Sequence, residues 1–397
     1  MIPRQLSITI KKFAREYPIL AVVGPRQSGK TTLTKQLFPR HTYLSLENLD
    51  LRAYAEDDPR GLLADYGPKI ILDEIQKTPK LFSYLQEQVD NHPIPSSYIL
   101  TGSQQFLLME KVSQSLAGRI ALFKLFPFTT TELIFKQLDI SVEKIFQFKN
   151  RVFNTSLDNL LVTGFYPRIH DKKLTPTKWI ENYILTYIEK DIRQLSNITD
   201  LRVFENFLRL CAAYSGQLTN YATFSERLGV SQPTIKKWFS LLETSGIIFM
   251  LAPHSKNFTK RVIKTPKLYF IDTGILCYLL SIKNSEHLKN HPLYGQIFET
   301  FVISEFYKRI SHLGEIPPLY FWRDKTGHEI DLLIDSGKNL LPVEIKASQT
   351  FSSGFNSGLK KWLNLKGNTT KRSIVLYAGQ QSYGKNSENS AFPWWKL

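Results

Sequence analysis

The chain has 397 residues, 42% of them hydrophobic and 13% aromatic, enough for several packed cores and too many for a disordered chain. Lys and Arg number 51 against 35 Asp and Glu, a net charge of +16 that excludes an acidic protein and favours a polyanionic partner such as nucleic acid, nucleotide or an acidic membrane surface. Only Cys211 and Cys277 occur, both in apolar patterns, which argues against a disulfide scaffold or a cysteine-based zinc site and fits a reducing compartment. The N-terminus has no apolar core of signal-peptide length, and the longest apolar run, near Gly246–Pro253, is too short to cross a bilayer. A soluble, cytoplasmic protein is expected, with no membrane partner.

In chain order, Ile19–Val23 is a short continuous apolar run, as a buried parallel strand should be. It leads into Gly24-Pro25-Arg26-Gln27-Ser28-Gly29-Lys30-Thr31, followed by Thr32, which is the spacing of a P-loop. The glycines let backbone N–H groups face phosphates, Lys30 adds a point charge at the β/γ-phosphates, and Thr31 offers a hydroxyl to Mg²⁺. A helix is expected over 31–38, with its N-terminal dipole toward the anion. ATP and Mg²⁺ are the ligands this implies.

Lys69–Glu74 reads as an apolar strand ending in two carboxylates, the Walker B pattern. Asp73 is expected to hold Mg²⁺ through water, and Glu74 to polarise the attacking water. The next strand ends at Thr101-Gly102-Ser103, which places Thr101 or Ser103 at the sensor position near the γ-phosphate. Arg119, just before a last core strand, sits where an arginine finger would act from a neighbouring subunit of a homo-oligomer. Strands at 19–23, 42–46, 70–73, 97–101 and 120–125, with helices between, give a parallel α/β layer with the nucleotide at the carboxyl ends.

Residues 151–200 read as helices forming a lid, with apolar positions every three or four residues. Over 221–250, one helix ends at Gly229, Ser231 caps a second, and Gly246 ends that one before a strand. Ile235, Phe239 and Leu242 should point inward, and Gln232, Lys236 and Lys237 outward. This is a winged-helix pattern, whose second helix enters a major groove, or else docks a protein. Between Arg227 and Lys267, eight basic residues stand against Glu243 alone. The expected wing, His254–Lys267, carries Lys256, Lys260, Arg261, Lys264 and Lys267. DNA is the partner that this charge favours.

Toward the C-terminus, a helix over 296–310 carries Glu299 and Glu305. A strand over 328–335 turns at Ser336–Asn339 into a second strand over 341–347. The period of two puts Glu344 and Lys346 on one face, where Asp331 meets them. Asp331, Glu344, Lys346 and the helical Glu299 make a PD-(D/E)xK nuclease constellation, in which two carboxylates hold a second Mg²⁺ or Mn²⁺ and the lysine serves the attacking water.

With these motifs in order, the chain resembles a prokaryotic family of AAA+-like P-loop ATPases whose C-terminal domain of unknown function combines a winged helix with a restriction-endonuclease-like fold. The matching stretches include Val23–Leu33, Ile70–Lys77, Leu100–Ser103, Leu116–Arg119, Tyr187–Asp191, Tyr269–Leu280, Phe298–Glu305 and Phe321–Ser348. One departure is Thr163–Pro167, where the family usually has a double glycine. The resemblance implies ATP binding and hydrolysis and leaves the substrate open. The expected fold is α/β: a P-loop NTPase parallel sheet over 1–130, a helical lid over 131–200, a winged-helix module over 201–280 and a restriction-endonuclease-like α/β domain over 281–397. Two alternatives stand beside an ATPase acting on DNA: an ATP-driven switch docking a protein partner, with an inactive nuclease-like domain, and an ATP-gated nuclease.

Overall fold

A computed structural model describes residues 2–102, 116–135, 156–188, 200–254, 265–337, 339–384 and 388–397. The chain divides into two compact units. The first is Met1–Asp139 with Thr244–Gly246 and Lys308–Ile316; the second is Ile140–Glu243, Ile247–Tyr307 and Pro317–Leu397.

In the first unit the order is α1 (Leu6–Phe13), β1 (Ile19–Val23), α2 (Lys30–Leu37), β2 (Thr42–Ser45), α3 (Leu49–Asp57), α4 (Pro59–Tyr66), β3 (Ile70–Asp73), α5 (Leu81–Asn91), β4 (Tyr98–Gly102) and β5 (Ile120–Lys124). The strands form one parallel sheet in the order β2-β3-β4-β1-β5. All five residues of β1 are buried, which is why the strand reads as a continuous apolar run. Alternate residues go to opposite faces. Ile19, Ala21 and Val23 join a core with Leu72, Leu81 and Leu100, while Leu20 and Val22 join one with Leu6, Leu33 and Ile99. Each fully buried Leu or Ile contributes about 1.5–3 kcal/mol. Helix starts follow local chemistry: Asn48 and Asp58 cap α3 and α4 by accepting from Leu51 N and Gly61 N.

The second unit opens with α6 (Leu157–Thr163), α7 (Pro167–Lys172) and α8 (Pro176–Tyr183). The link between α6 and α7 is the turn where the resemblance expected a double glycine. Gly164 there has φ +72°, and a Cβ on it would strike the Asp272 carboxylate. Asp272 accepts from Phe165 N at 2.7 Å and Ile275 N at 3.0 Å, so one glycine admits the contact. Then come α9 (Leu201–Ala213), α10 (Tyr221–Leu228), α11 (Gln232–Thr244) and an antiparallel ribbon of β6 (Ile248–Leu251) and β7 (Lys267–Phe270). A single bridge joins Leu218, between α9 and α10, to Lys267. Ile235, Phe239 and Leu242 are buried on α11, as the helical period requires.

After α12 (Thr273–Leu279) and α13 (Ser285–Lys289) comes α14 (Tyr294–His312), whose last residues count with the first unit. The remaining elements are β8 (Leu319–Arg323), β9 (Glu329–Asp335), β10 (Leu340–Lys346), α15 (Ser357–Leu363), β11 (Ser373–Tyr377) and β12 (Asn389–Pro393). They build a mixed sheet, β12-β11-β10-β9-β8. Strands β8, β9 and β10 are antiparallel, and β10, β11 and β12 parallel. Leu359 and Trp362 of α15 pack on Trp322, Ile330, Leu333 and Val375 of the sheet. Both cysteines are buried and unpaired. Among the described residues no helix is long and apolar enough to cross a membrane.

Candidate functional site

The carboxyl ends of β1, β3 and β4 meet at the P-loop. The parallel registers align Asp73 with Ser45 and Thr101, and Thr101 with Val22. Gly24 has φ +148°, and a Cβ there would collide with the Leu125 carbonyl of the chain beside β1. Gln27 and Gly29 are also left-handed, at φ +63° and +94°, so the loop curls and delivers Lys30 to the first turn of α2. Pro25 is buried, Arg26 and Thr31 are half-buried, and Gln27 and Thr32 are exposed.

Lys30 is only 6% exposed. Its Nζ donates to the carbonyls of Gly24 and Pro25, both at 2.9 Å. Burial lowers its pKa to about 8, against the attraction of Glu74 and Asp73 and with help from Arg26. Ser28 is fully buried, and its Oγ has no hydrogen-bond partner among the described residues. A buried ammonium held only by neutral carbonyls, beside an unused hydroxyl, fits an anion such as a nucleotide phosphate.

Asp73 is the junction of the site. It accepts from Thr31 Oγ1 at 3.0 Å, Tyr43 OH at 2.6 Å and Thr101 Oγ1. Burial and this carboxylate push the Tyr43 hydroxyl up to about 12. Lys35 Nζ lies 3.3 Å from the centre of the Tyr43 ring, which helps hold the ring in place. Thr31 and Asp73 supply the oxygen pair that a divalent ion beside the phosphates would use. The neighbouring Glu74 leaves the strand in a left-handed conformation (φ 58°, ψ 44°), which costs about 1–3 kcal/mol in a non-glycine residue. Gln76 Nε2 donates to Glu74 Oε2.

The P-loop is braced from behind by a residue that no motif announces. Arg4, 7% exposed, donates through Nη1 to the Ser28 carbonyl at 2.8 Å and through Nη2 to the Phe126 carbonyl at 2.6 Å. Its Nε meets Glu132 Oε1 at 3.2 Å, and the guanidinium lies 4.7 Å from the Phe128 ring centre. Glu132 is fully buried and also accepts from Gln5 N and Thr129 N. Burial alone would raise its pKa, but Arg4, His312 and the Thr129 amide hold it well below the usual carboxylate range.

Of the other expected residues, one is at this site, one lies outside the described residues and one is held elsewhere. Thr101 turns its hydroxyl onto Asp73, and Ser103 lies outside the described residues. Arg119 sits before β5, where its carbonyl accepts from Ile19 N at the amino end of β1, away from the P-loop. It grips Asp90 with Nε at 2.5 Å and Nη2 at 2.8 Å. An arginine-finger role would have to be played from another protomer and would first have to release Asp90.

In the second unit the expected nuclease residues gather on one face. Glu344 and Asp331 share a face of β10 and β9, as the register Val343↔Leu332 requires. Asp331 Oδ2 accepts from Ile345 N at 2.8 Å, and Glu344 Oε1 accepts from Lys346 Nζ at 2.5 Å. Burial raises the Asp331 carboxyl well above its ordinary range, reinforced by the charges of Glu344 and Glu299. Glu299 Oε1 accepts from Lys267 Nζ at 3.1 Å and from Tyr269 OH at 2.5 Å. Among the described residues no three His, Cys, Asp or Glu side chains form a group that could hold a metal ion. The ion expected between Asp331 and Glu344, with Glu299 reaching in, gains no support from this arrangement. Lys267 is corrected: expected on an exposed wing, it is 3% exposed in β7. Lys256, Lys260, Arg261 and Lys264 lie outside the described residues, while Gln232, Lys236 and Lys237 are exposed on α11 as expected.

Three segments of the chain match known protein families. Residues 16–134 match an AAA domain, residues 154–286 a domain of unknown function (DUF8612) and residues 294–397 a second domain of unknown function (DUF4143). An uncharacterized protein of Mycobacterium tuberculosis is 28% identical over 352 residues, 87% of this chain and 74% of that protein. One of Haemophilus influenzae is 23% identical over 320 residues, 73% of this chain and 74% of that protein. A Walker-type ATPase of Pyrococcus abyssi superposes with a TM-score of 0.46 at 14% identity, covering 70% of this chain and 96% of that one. The AAA-domain match falls on an intact strand–loop–helix phosphate site, and this N-terminal segment is a P-loop domain of ATPase type.

The depressed Lys30 pKa carries a sign that can be measured. Phosphate oxygens favour the ammonium and raise its pKa on binding, so the complex keeps a proton that the free protein has partly lost above pH 8. ATP affinity is expected to be full below about pH 8 and to fall as pH rises through the free-protein value. Calorimetry at pH 8 in buffers of different ionisation enthalpy should report uptake of about half a proton. Lys30→Arg should bind without uptake, and no uptake by the parent protein would contradict the assignment.

Proposed function

We propose that this chain is a Mg²⁺-dependent ATPase that couples its nucleotide cycle to a DNA-binding second half. One observation carries the hydrolytic reading: the buried Lys30 ammonium, held by carbonyls alone, lies in the same site as Asp73, which gathers Thr31, Tyr43 and Thr101 at the strand ends. Lys30 exchanges its carbonyl partners for β/γ-phosphate oxygens, and the loop amides of 26–32 cradle the same charge. Mg²⁺, when bound at Thr31 and Asp73, offsets charge on the transferring phosphoryl group. Tyr43 and Thr101 fix the Asp73 carboxylate, so little reorganisation is left for the reaction step. Glu74 orients and deprotonates water. Gln76 donates to the Glu74 carboxylate and helps aim it.

The second half is read as a winged-helix module over 201–280 followed by a nuclease-like domain over 281–397. Support for the first is the order of three helices and a ribbon, with the Leu218–Lys267 bridge in the place of a short first strand. Support for the second is the α-β-β-β-α-β order from α14 to β11 with its mixed sheet. Segments 1–130 and 131–200 complete the proposed organisation as ATPase domain and helical lid, in a cytoplasmic protein. Gln232, Lys236 and Lys237 on the exposed face of α11 favour DNA over a protein partner.

Glu74→Gln should keep ATP binding and slow turnover by about 10²–10⁴-fold, the range of a missing general base, while Lys30→Ala should lose tight binding. Hydrolysis by Glu74→Gln at the parent rate would remove Glu74 from the mechanism. For the DNA reading, a Lys236→Ala, Lys237→Ala variant should bind duplex more weakly. Its log–log salt slope should be shallower by about 0.9 for each phosphate that the variant no longer neutralises. Unchanged affinity and slope would turn the proposal toward a protein partner.

A further inference from the structure

The nuclease-like domain presents carboxylates where a metal ion would be expected, but the site already contains a cation. Lys267 projects from β7 into the group formed by Glu299 on α14, Glu329 and Asp331 on β9, and Glu344 on β10. Its Nζ is 3.1 Å from Glu299 Oε1 and is ion-paired with Glu329. Its backbone is fixed by pairing with Leu251 on one side and by the bridge to Leu218 on the other. The ammonium lies 5.6 Å from the centre of the Phe321 ring, and the residue is 3% exposed. It has no solvent to swing into.

We propose that Lys267 is the resident cation of this carboxylate group, so that the C-terminal domain keeps the strand order of a metal nuclease but works without a metal ion. Without one, three of the four carboxylates, Glu299, Glu329 and Glu344, have a cation of the chain within ion-pair distance. Glu299, Glu329, Asp331 and Glu344 face Lys267, Arg323 and Lys346, with Arg323 Nη1 on Glu329 Oε2 at 2.9 Å and Lys346 Nζ on Glu344 Oε1 at 2.5 Å. Neutral donors compensate part of the group as well: Tyr269 OH and Lys267 share Glu299 Oε1, and the Ile345 amide takes Asp331 Oδ2. Glu344, 8% exposed, has one oxygen, Oε2, with no partner among the described residues. A fixed ammonium within the group repels a dication, and the hydrogen bonds that Glu299 and Asp331 already make compete with one. The inference stands apart from the ATPase reading, since no residue of the P-loop enters it.

Titration of Mn²⁺ into the full chain without nucleotide, with free Mn²⁺ counted by electron paramagnetic resonance, tests it. The parent protein and Asp331→Asn should give the same isotherm. Lys267→Met should gain about one Mn²⁺ per chain, and that gain should vanish when Asp331→Asn is added. An Mn²⁺ bound by the parent and lost in Asp331→Asn would overturn the proposal, as would a folded Lys267→Met that gains none. Should Lys267→Met fail to fold, the comparison of parent with Asp331→Asn still decides. Metal-dependent nicking of plasmid DNA that requires Asp331 would also overturn it.

Discussion

A charge taken out of water must find another group to compensate it, and the two halves of this chain meet that requirement differently. At the P-loop, Lys30 is buried against two carbonyls, which offer dipoles and no countercharge. Ser28 Oγ beside it is unused. The strand ends, the left-handed loop and the first turn of α2 together hold an ammonium where a phosphate would meet it, with Asp73 and Glu74 attracting it from the strand end. In the second unit, Glu299, Glu329 and Glu344 each have a cation of the chain itself within ion-pair distance. The first arrangement is open to a ligand, and the second is closed.

Rigidity around the open site comes from parts distant in sequence. Arg4 and Glu132 are 128 residues apart, yet their ion pair fixes the guanidinium that holds the Ser28 carbonyl. Removing one partner of such a fully buried pair costs about 3–5 kcal/mol, since it strands the other charge. The loop that must bind phosphate is thus shaped by the fold before the phosphate arrives, which is the arrangement that makes electrostatic stabilisation effective. Asp73 follows the same logic: three hydroxyls aim it, and one of them, Tyr43, reaches it from the neighbouring strand.

How much of this is legible in the sequence depends on range. The strand carrying the P-loop lies at Ile19–Val23, where the sequence places it, and the Walker B strand at Ile70–Asp73, because continuous apolar runs and the loop spacing are local signals. The inward set Ile235, Phe239 and Leu242 follows from the helical period alone. The hairpin of β9 and β10 and the shared face of Asp331 and Glu344 follow from a period of two. Tyr43, Arg4 and Glu132 leave no such mark, since each acts through a partner tens of residues away. Lys267 escapes a sequence reading for a related reason. Within a run of basic residues it looks like one more surface charge, and only the pairing of β7 with β6 shows that it points into the acidic group. Spacing likewise shows which carboxylates converge and not which cation lies among them.

Thermal unfolding of the full chain, followed with ATP and Mg²⁺ together and with Mn²⁺ alone, tests the contrast between an open and a closed site most directly. A ligand that completes the native site stabilises it by about 2.7 kcal/mol at a hundred times its dissociation constant. The expected result is a clear rise in Tm with ATP and Mg²⁺, absent in Lys30→Ala, and no rise with Mn²⁺ alone that depends on Asp331. A Tm indifferent to ATP and Mg²⁺, with an Asp331-dependent rise in Mn²⁺ alone, would contradict it.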